Sequence, residues 1–264
     1  MLGKNSLTFY LFNGEQYIIL TTKGKNKMFN KDYYWKTYDD FYLNANRRII
    51  EEDYNKPDIR WLLPYLPKDK NGTILDIGCG AGLLLNWLWL EGYTNLTGID
   101  ISPKMVALSR LKLNPKVAIF EGDAFGEDGL LFRFPHYYNQ ILMFDVIEHI
   151  EKSKLTEVVK ALDYALVDEG SVIIRTANAD CVLSGACRYI DMTHELIFTW
   201  QSLRQLMFAG GFKHYEVINL NACERWWVKA LLKGRDAGYY LIYRLHKMMI
   251  PPTFDTQLLM RFWR

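Results

Sequence analysis

Cysteine is scarce in this sequence. Four stand in 264 residues, at positions 79, 181, 187 and 223, too scattered for a disulfide framework. Cys181 and Cys187, with His194 beyond them, suit neither common zinc spacing, so free thiols are expected and no metal site is. Charge of one sign is lacking too. Lys and Arg number 32 against 30 Asp and Glu, and a net +2 gives no global reason to bind nucleic acid. No apolar run reaches the ~20 residues of a membrane-spanning helix. A secretory segment is not expected either, because Asn13-Gly14 interrupts "MLGKNSLTFYLFNGEQYIIL" before an apolar stretch can form. These absences point to a cytoplasmic setting. The length and the 50% hydrophobic content suit one large α/β domain with additions.

Residues 1–66 read as an extension. "SLTFYLF" and "EQYIILT" are β-rich runs joined by Asn13-Gly14, a two-residue hairpin signal, and helical stretches follow. Residues 67–264 read as the main domain. From Thr73 strands and helices alternate: "TILDIG" with "GLLLNWLWLEG", "LTGID" with "SPKMVALSRLK", "VAIFEGD", "NQILMFDV" with "SKLTEVVKALDYALV", then "GSVIIRTA". The strand runs are almost wholly apolar, as strands covered on both faces are. The expected fold is a doubly wound, mainly parallel, seven-stranded Rossmann-like sheet. "HYEVINL" and "TQLLMRFW" supply the last two strands. The insertion between them, about 222–252, reads as two helices broken near Gly238.

Gly78, Gly80 and Gly82 follow the first strand of the repeating part, and Asp76 stands just before them. Glycine lets the backbone turn sharply and approach a ligand closely. A dinucleotide fingerprint needs a third glycine where Leu83 stands, and an acid inside the turn would face a pyrophosphate unfavourably. An acid there suits a cationic ligand, as the amino group and sulfonium of S-adenosylmethionine (SAM) would be. Asp100 ends the next strand, where a carboxylate accepts ribose hydroxyls. Asp123 ends the third, where it can accept from an adenine amino group.

The stretch from Thr73 to about Phe212 resembles the class I SAM-dependent methyltransferases. "LDIGCGAG" is similar to their glycine motif and "GIDISPKMVALSR" to their second-strand motif. "FDVIEHI" resembles the branch containing ubiquinone-pathway and sugar O-methyltransferases. "DMTHELIFTWQSLRQLMFAGGF" resembles the lid of enzymes linked to surface-glycan synthesis. The resemblance implies SAM as cofactor. It places Asp76 at the SAM amino group, with Gly78, Cys79, Gly80 and Gly82 along the methionine part. Asp100 falls at the ribose, Ile101 and Met105 on the adenosine, Asp123 and Ala124 at the adenine edge, and Phe144 near the methionine end. Where the family opens its fourth strand with an aromatic-Asp pair, this chain has Tyr138-Asn139, a departure that bears on strand stability rather than chemistry.

An alcohol acceptor must lose its proton as its oxygen attacks, and histidine titrates in the right range. His149, after the fourth strand, and His194, in the lid, are therefore the candidate catalytic residues. Each also has a plainer reading, as a helix pin and a lid closure. Glu148 and Glu195 read as structural. The expected acceptor is a hydroxyl on a sugar or lipid-linked glycan; the alternatives are a phenolic or quinone-like lipid and a non-catalytic SAM-binding scaffold. No nucleic-acid partner is expected. The insertion carries Arg225, Lys229, Lys233, Arg235, Arg244 and Lys247 among tryptophans and tyrosines, against only Glu224 and Asp236. That composition suits peripheral docking through 225–250 on the inner face of a membrane. Packing on its own domain and homodimerisation are the plainer readings.

Overall fold

The computed structural model describes residues 5–12, 15–22, 38–39, 43, 61–126, 129–218, 226–246 and 248–264. Contacts divide the chain into two compact units, Met1–Lys36 and Thr37–Arg264. The expected boundary near residue 66 thus falls inside the second unit. The first holds β1 (Asn5–Phe12) and β2 (Glu15–Thr22), antiparallel, with Phe12 opposite Glu15; Asn13-Gly14 itself lies outside the described residues.

The second unit is built on a seven-stranded sheet. Its strands are β3 (Ile74–Ile77), β4 (Leu96–Asp100), β5 (Ala118–Glu121), β6 (Tyr138–Phe144), β7 (Leu166–Ala177), β8 (His214–Val217) and β9 (Gln257–Trp263), in the order β5-β4-β3-β6-β7-β9-β8. The pairs from β5 to β7 are parallel, and β9 runs antiparallel to both its neighbours. The helices are α1 (Leu83–Leu90), α2 (Pro103–Lys112), α3 (Leu130–Arg133), α4 (Leu155–Ala165), α5 (Ser184–Tyr189), α6 (Trp200–Ala209) and α7 (Trp226–Leu245).

Alternate strand residues serve opposite faces. Leu75, Ile77, Ile141, Met143, Val172 and Ile174 pack with Val158, Val159 and Leu162 of α4 and Leu203 and Met207 of α6. Ile74, Leu142, Ile173 and Leu259 pack with Leu85 and Leu88 of α1. With both faces covered, the central strands are mostly apolar, and the buried Gln140 and Ser171 satisfy each other, the Ser171 hydroxyl donating to Gln140 Oε1 at 2.8 Å. Strand order reverses between β3 and β6. Ligands in such sheets bind beyond the carboxyl ends of the strands at that switch point.

Two departures from expectation have local causes. Asn139 ties the start of β6 to β3: its Oδ1 accepts from the Thr73 N–H and hydroxyl, both at 2.9 Å, and its N–H donates to the Thr73 carbonyl at 3.0 Å. The missing acid therefore leaves the strand well anchored. The insertion does not break near Gly238; α7 is one continuous helix of 20 residues. Gly234 and Gly238 face open space. A glycine there costs a helix only about 1 kcal/mol. Tertiary contacts outweigh it. Arg235 pairs with Asp236 and Asp255, and Tyr239 and Tyr243 pack edge-on against Phe254.

Candidate active site

The turn from β3 into α1 combines backbone need and packing. Gly78, Gly80 and Gly82 hold φ of +73°, +51° and +79°. A Cβ on Gly78 would lie 2.4 Å from Val146 Cγ2, and one on Gly82 would lie 2.6 Å from Leu113 Cδ1. Glycine is therefore required at 78 and 82 by the protein itself, before any ligand is considered. The N–H groups of Gly78 and Cys79 both donate to the Ile99 carbonyl, at 2.8 and 3.1 Å, and Gly82 donates to the Cys79 carbonyl at 2.9 Å. Cys79 thus spends its backbone on closing the turn. Its buried thiol, raised well above the usual range, belongs to the core around α1. That places its side chain in packing rather than at a cofactor.

Two carboxyls flank this turn. Asp76 is 3% exposed. Burial, and next the charge of Asp100, push it up to about 8, against the pull of Arg175. Asp100 is oriented by two N–H donors, Gly80 to Oδ2 at 2.8 Å and Ser102 to Oδ1 at 2.9 Å. Burial still raises it. The Ser102 hydroxyl caps α2 by accepting from Met105 N–H at 3.2 Å, and it donates to Asp39 at 2.7 Å. Asp39 belongs to the segment that reads from sequence as a separate extension, so that segment reaches the site. Ile101, 68% exposed, offers an open apolar surface, whereas Met105, 3% exposed, lies in the core under α2. Met105 has no face left for an adenosine. Asp123 is exposed after β5 and accepts from Phe125 N–H at 2.8 Å. A cavity of about 200 Å³ opens beside it, lined by Ile99, Phe120, Leu130 and Arg133 among others, while Ala124 is buried. A buried acid and a half-buried one that repel each other across a glycine turn fit a ligand that brings positive charge and hydroxyl donors together.

The other wall begins where β6 ends. Met143 is buried and Phe144 is half-buried. Asp145 sits at φ +56°, a conformation uncommon outside glycine. It is held by its N–H to the Arg175 carbonyl at 2.9 Å and by its carboxylate to the Arg175 guanidinium, which also lies over the Phe144 ring. Nothing in the sequence singled out this pair. Glu148 is buried, accepts from the Thr176 hydroxyl at 2.9 Å, and is raised to about 7 by burial and by Asp145. Its carbonyl receives the N–H groups of Glu195 and Leu196, so the 148 and 195 positions fasten the lid as expected of structural residues.

The structure brings His149 and His194 together, with ring centroids 4.9 Å apart. His149 Nδ1 lies 2.8 Å from the Thr193 hydroxyl, which donates to Asp191 Oδ1 at 2.7 Å. Burial, then the neighbouring His194, lowers His149 to about 4, so it is a neutral imidazole at neutral pH. The Tyr38 ring meets it edge-on at 5.9 Å. His194 Nδ1 is buried with no hydrogen-bond partner among the described residues. Cys181 and Cys187 are free and take no part in this cluster, while Cys223 lies outside the described residues.

Comparison with known proteins agrees with this architecture. The family described as "Methyltransferase domain" matches residues 48–230. A ubiquinone biosynthesis O-methyltransferase of Dechloromonas aromatica is 27% identical over 105 residues, 40% of this chain and 44% of that protein. An EEF1A lysine methyltransferase 2 of Mus musculus is 43% identical over 60 residues, 22% of this chain and 23% of that one. The aligned stretches thus span less than half the length of these curated relatives. Among solved structures, a SAM-dependent methyltransferase of Archaeoglobus fulgidus superposes with a TM-score of 0.63 at 18% identity, covering 86% of this chain and all of that one. A phosphoethanolamine N-methyltransferase 2 of Haemonchus contortus, solved with SAM, gives 0.60 at 17% identity, covering 94% of this chain and 61% of that one. The sheet order, the glycine turn between two acids and the matched family agree: the chain belongs to the methyltransferase-domain family and has the fold of SAM-dependent methyltransferases.

Proposed function

We propose that this protein transfers a methyl group from SAM to a hydroxyl oxygen, on a sugar or a lipid-linked glycan. The observation that carries the methyl-donor half is the pair of carboxyls, buried Asp76 and half-buried Asp100, on either side of the glycine turn. SAM, when bound, supplies a methyl group on a positively charged sulfur. Asp76 holds the amino group of such a ligand, and the ligand's charge offsets the burial and the Asp100 repulsion that raise Asp76. Asp100, already aimed by two N–H donors, accepts the ribose hydroxyls. Ile101 covers the base, and Asp123 reads its edge from beside the cavity. Cys79 and Met105 support this site from the core.

On the acceptor side, His149, a neutral imidazole, receives an incoming hydroxyl with the His194 ring beside it. Alignment of the two reactants is the larger part of the catalysis, up to ~7–11 kcal/mol in favourable cases. The glycan reading draws on the likeness of the "DMTHELIFTW" lid. A phenolic or quinone-like lipid is the second reading, favoured by the ubiquinone-pathway relatives. Both acceptors suit a membrane surface. The exposed side of α7 and the turn after it carry Leu231, Tyr240, Leu241, Leu245, Met248 and Met249, with Lys233 and Arg244 also exposed. No helix among the described residues is long and apolar enough to cross a membrane.

Calorimetry with SAM and S-adenosylhomocysteine tests the donor half; absence of binding by either defeats it. Turnover with sugar and phenolic acceptors, lost in Asp76→Ala, separates an enzyme from a binding scaffold. An unchanged methylation pattern in surface glycans of a deletion strain would defeat the glycan acceptor and leave the lipid one.

A further inference from the structure

We propose that Arg175, held in place by Asp145, is the counter-charge for the carboxylate at the methionine end of SAM, and that this pair makes the protein select SAM over its decarboxylated form. The inference rests on the methyl-donor reading and deepens it.

The chemistry of the donor calls for such a group. The methionine end of SAM carries an ammonium and a carboxylate on the same carbon, so whatever holds the first brings the second close. Asp76 and Asp100 suit the ammonium and the sulfonium, but they repel a carboxylate. Left to those acids, the site would prefer a donor without the carboxylate, which is the more cationic molecule. A cation with hydrogen-bond donors to spare reverses that preference, and a guanidinium matches a carboxylate with a fork of parallel N–H groups.

The sheet register puts Arg175 within range. Asp76, Leu142 and Ile173 pair in one row across β3, β6 and β7, and Phe144 pairs with Arg175 one pleat nearer the carboxyl ends. Paired neighbours and residues two apart share a face, so Asp76, Phe144 and Arg175 lie on the same side of the sheet. The guanidinium carbon sits 4.9 Å from the centre of the Phe144 ring, so the side chain crosses from β7 over β6. Its charge is felt at Asp76, where it opposes the effect of burial. The turn after β6 also touches the glycine turn directly, because a Cβ on Gly78 would strike Val146. Asp145, the residue before Val146, thus stands beside the loop that faces the methionine part.

The pair is built for this task. Asp145 holds φ +56°, a conformation that a non-glycine residue keeps only where its surroundings impose it. What imposes it is Arg175: the Asp145 N–H donates to the Arg175 carbonyl at 2.9 Å, and its carboxylate accepts from Arg175 Nε at 3.1 Å and from Nη2. Asp145 therefore occupies one edge of the guanidinium and fixes its plane. Nη1 makes no hydrogen bond among the described residues, so the edge formed by Nη1 and Nη2 is left for an incoming carboxylate. Arg175 is the binding residue, and Asp145 is a positioning residue that acts through it.

The test titrates SAM and decarboxylated SAM separately into the full chain by calorimetry at neutral pH. The wild type should bind SAM ~10–100-fold more tightly, the worth of a hydrogen-bonded charge pair. Arg175→Met combined with Asp145→Asn removes both charges of the pair and keeps a residue that tolerates the positive φ. In that variant the preference should vanish or invert, with the affinity for decarboxylated SAM kept within about threefold. Arg175→Lys keeps the charge without the fork and should retain part of the preference. A merely structural pair would weaken both ligands alike, so equal losses overturn the proposal. Equal binding of the two donors by the wild type overturns it as well, with no variant needed, and leaves the SAM reading standing. Binding of neither donor by the wild type defeats the SAM reading itself.

Discussion

Replacing Asp76 by asparagine should stabilise the ligand-free protein and weaken its hold on SAM. The carboxyl is pushed from 3.8 to about 8 by burial and by Asp100. Between those values the native state keeps a proton that the unfolded chain has released. Stability must therefore fall as pH rises from about 4 to about 8, at up to ~1.4 kcal/mol per pH unit, and flatten beyond each limit. At pH 7 the accumulated penalty reaches at most about 4 kcal/mol. Asparagine keeps the volume and does not titrate, so the variant should gain on the wild type steadily across this window. His149, lowered to about 4, runs the other way, costing stability as pH falls from 6.5 towards 4. It is present in both proteins and cancels in the difference. Urea unfolding of both at pH 5, 6, 7 and 8 gives the slope. Binding should show the mirror image. A cationic ligand ionises Asp76 and so expels a proton, making wild-type affinity for SAM rise towards pH 8 by up to tenfold per unit. The variant should bind ~10–100-fold more weakly, the worth of one hydrogen bond to a charged group, and with a shallower slope. Identical pH slopes of stability in the two proteins, or undiminished SAM binding by the variant, would refute the placement of Asp76.

Gly78→Ala should destabilise by ~2 kcal/mol or more, because it meets both a positive φ and the Val146 methyl at 2.4 Å, and Val146→Ala in the same chain should restore part of the loss in thermal melting. Gly238→Ala should raise the stability of α7 by up to ~1 kcal/mol, read as slower proteolysis of that helix; a loss would mean that the glycine contacts something. Wild-type protein should co-sediment with anionic vesicles and not with neutral ones at low salt, and Lys233→Glu with Arg244→Glu should release it. Each basic residue is worth about 1 kcal/mol there, so raised salt should release the protein too. Wild type left in the supernatant excludes the docking, and a dimer that falls apart in the variant would assign this face to self-association.

The central strands were legible because their composition is forced. A strand covered on both faces is mostly apolar until near its carboxyl end, where Asp76 and Asp100 mark the change. The hairpin was legible for a similar reason: Asn-Gly between two β-rich runs is a specific signal, and β1 and β2 pair antiparallel on either side of it. Residue type alone could not separate Met105 and Cys79, which are core, from Ile101, which is open: all three suit either place. Asp145 carries no letter that reveals a positive φ, and Arg175 lies 30 residues away. The cluster of Asp191, Thr193 and His149 depends on a lid folding back over 40 residues, a tertiary event with no periodicity. The expected break in α7 overrated one glycine against the summed contacts of a 20-residue helix.

The 39 residues between Val217 and Gln257 hang from two antiparallel neighbours, β8 and β9, like a long excursion inside a hairpin. Closing a flexible loop grows dearer only with the logarithm of its length, so stretching a four-residue connection to this size costs about 2 kcal/mol in chain entropy. A few contacts such as Arg235 to Asp255 offset much of that. The segment is thus a nearly free variable of the architecture. Evolution or a designer could shorten, lengthen or exchange it, altering where the molecule settles and what it meets, while the strands β3 and β4 that carry the glycine turn and its acids go unaltered.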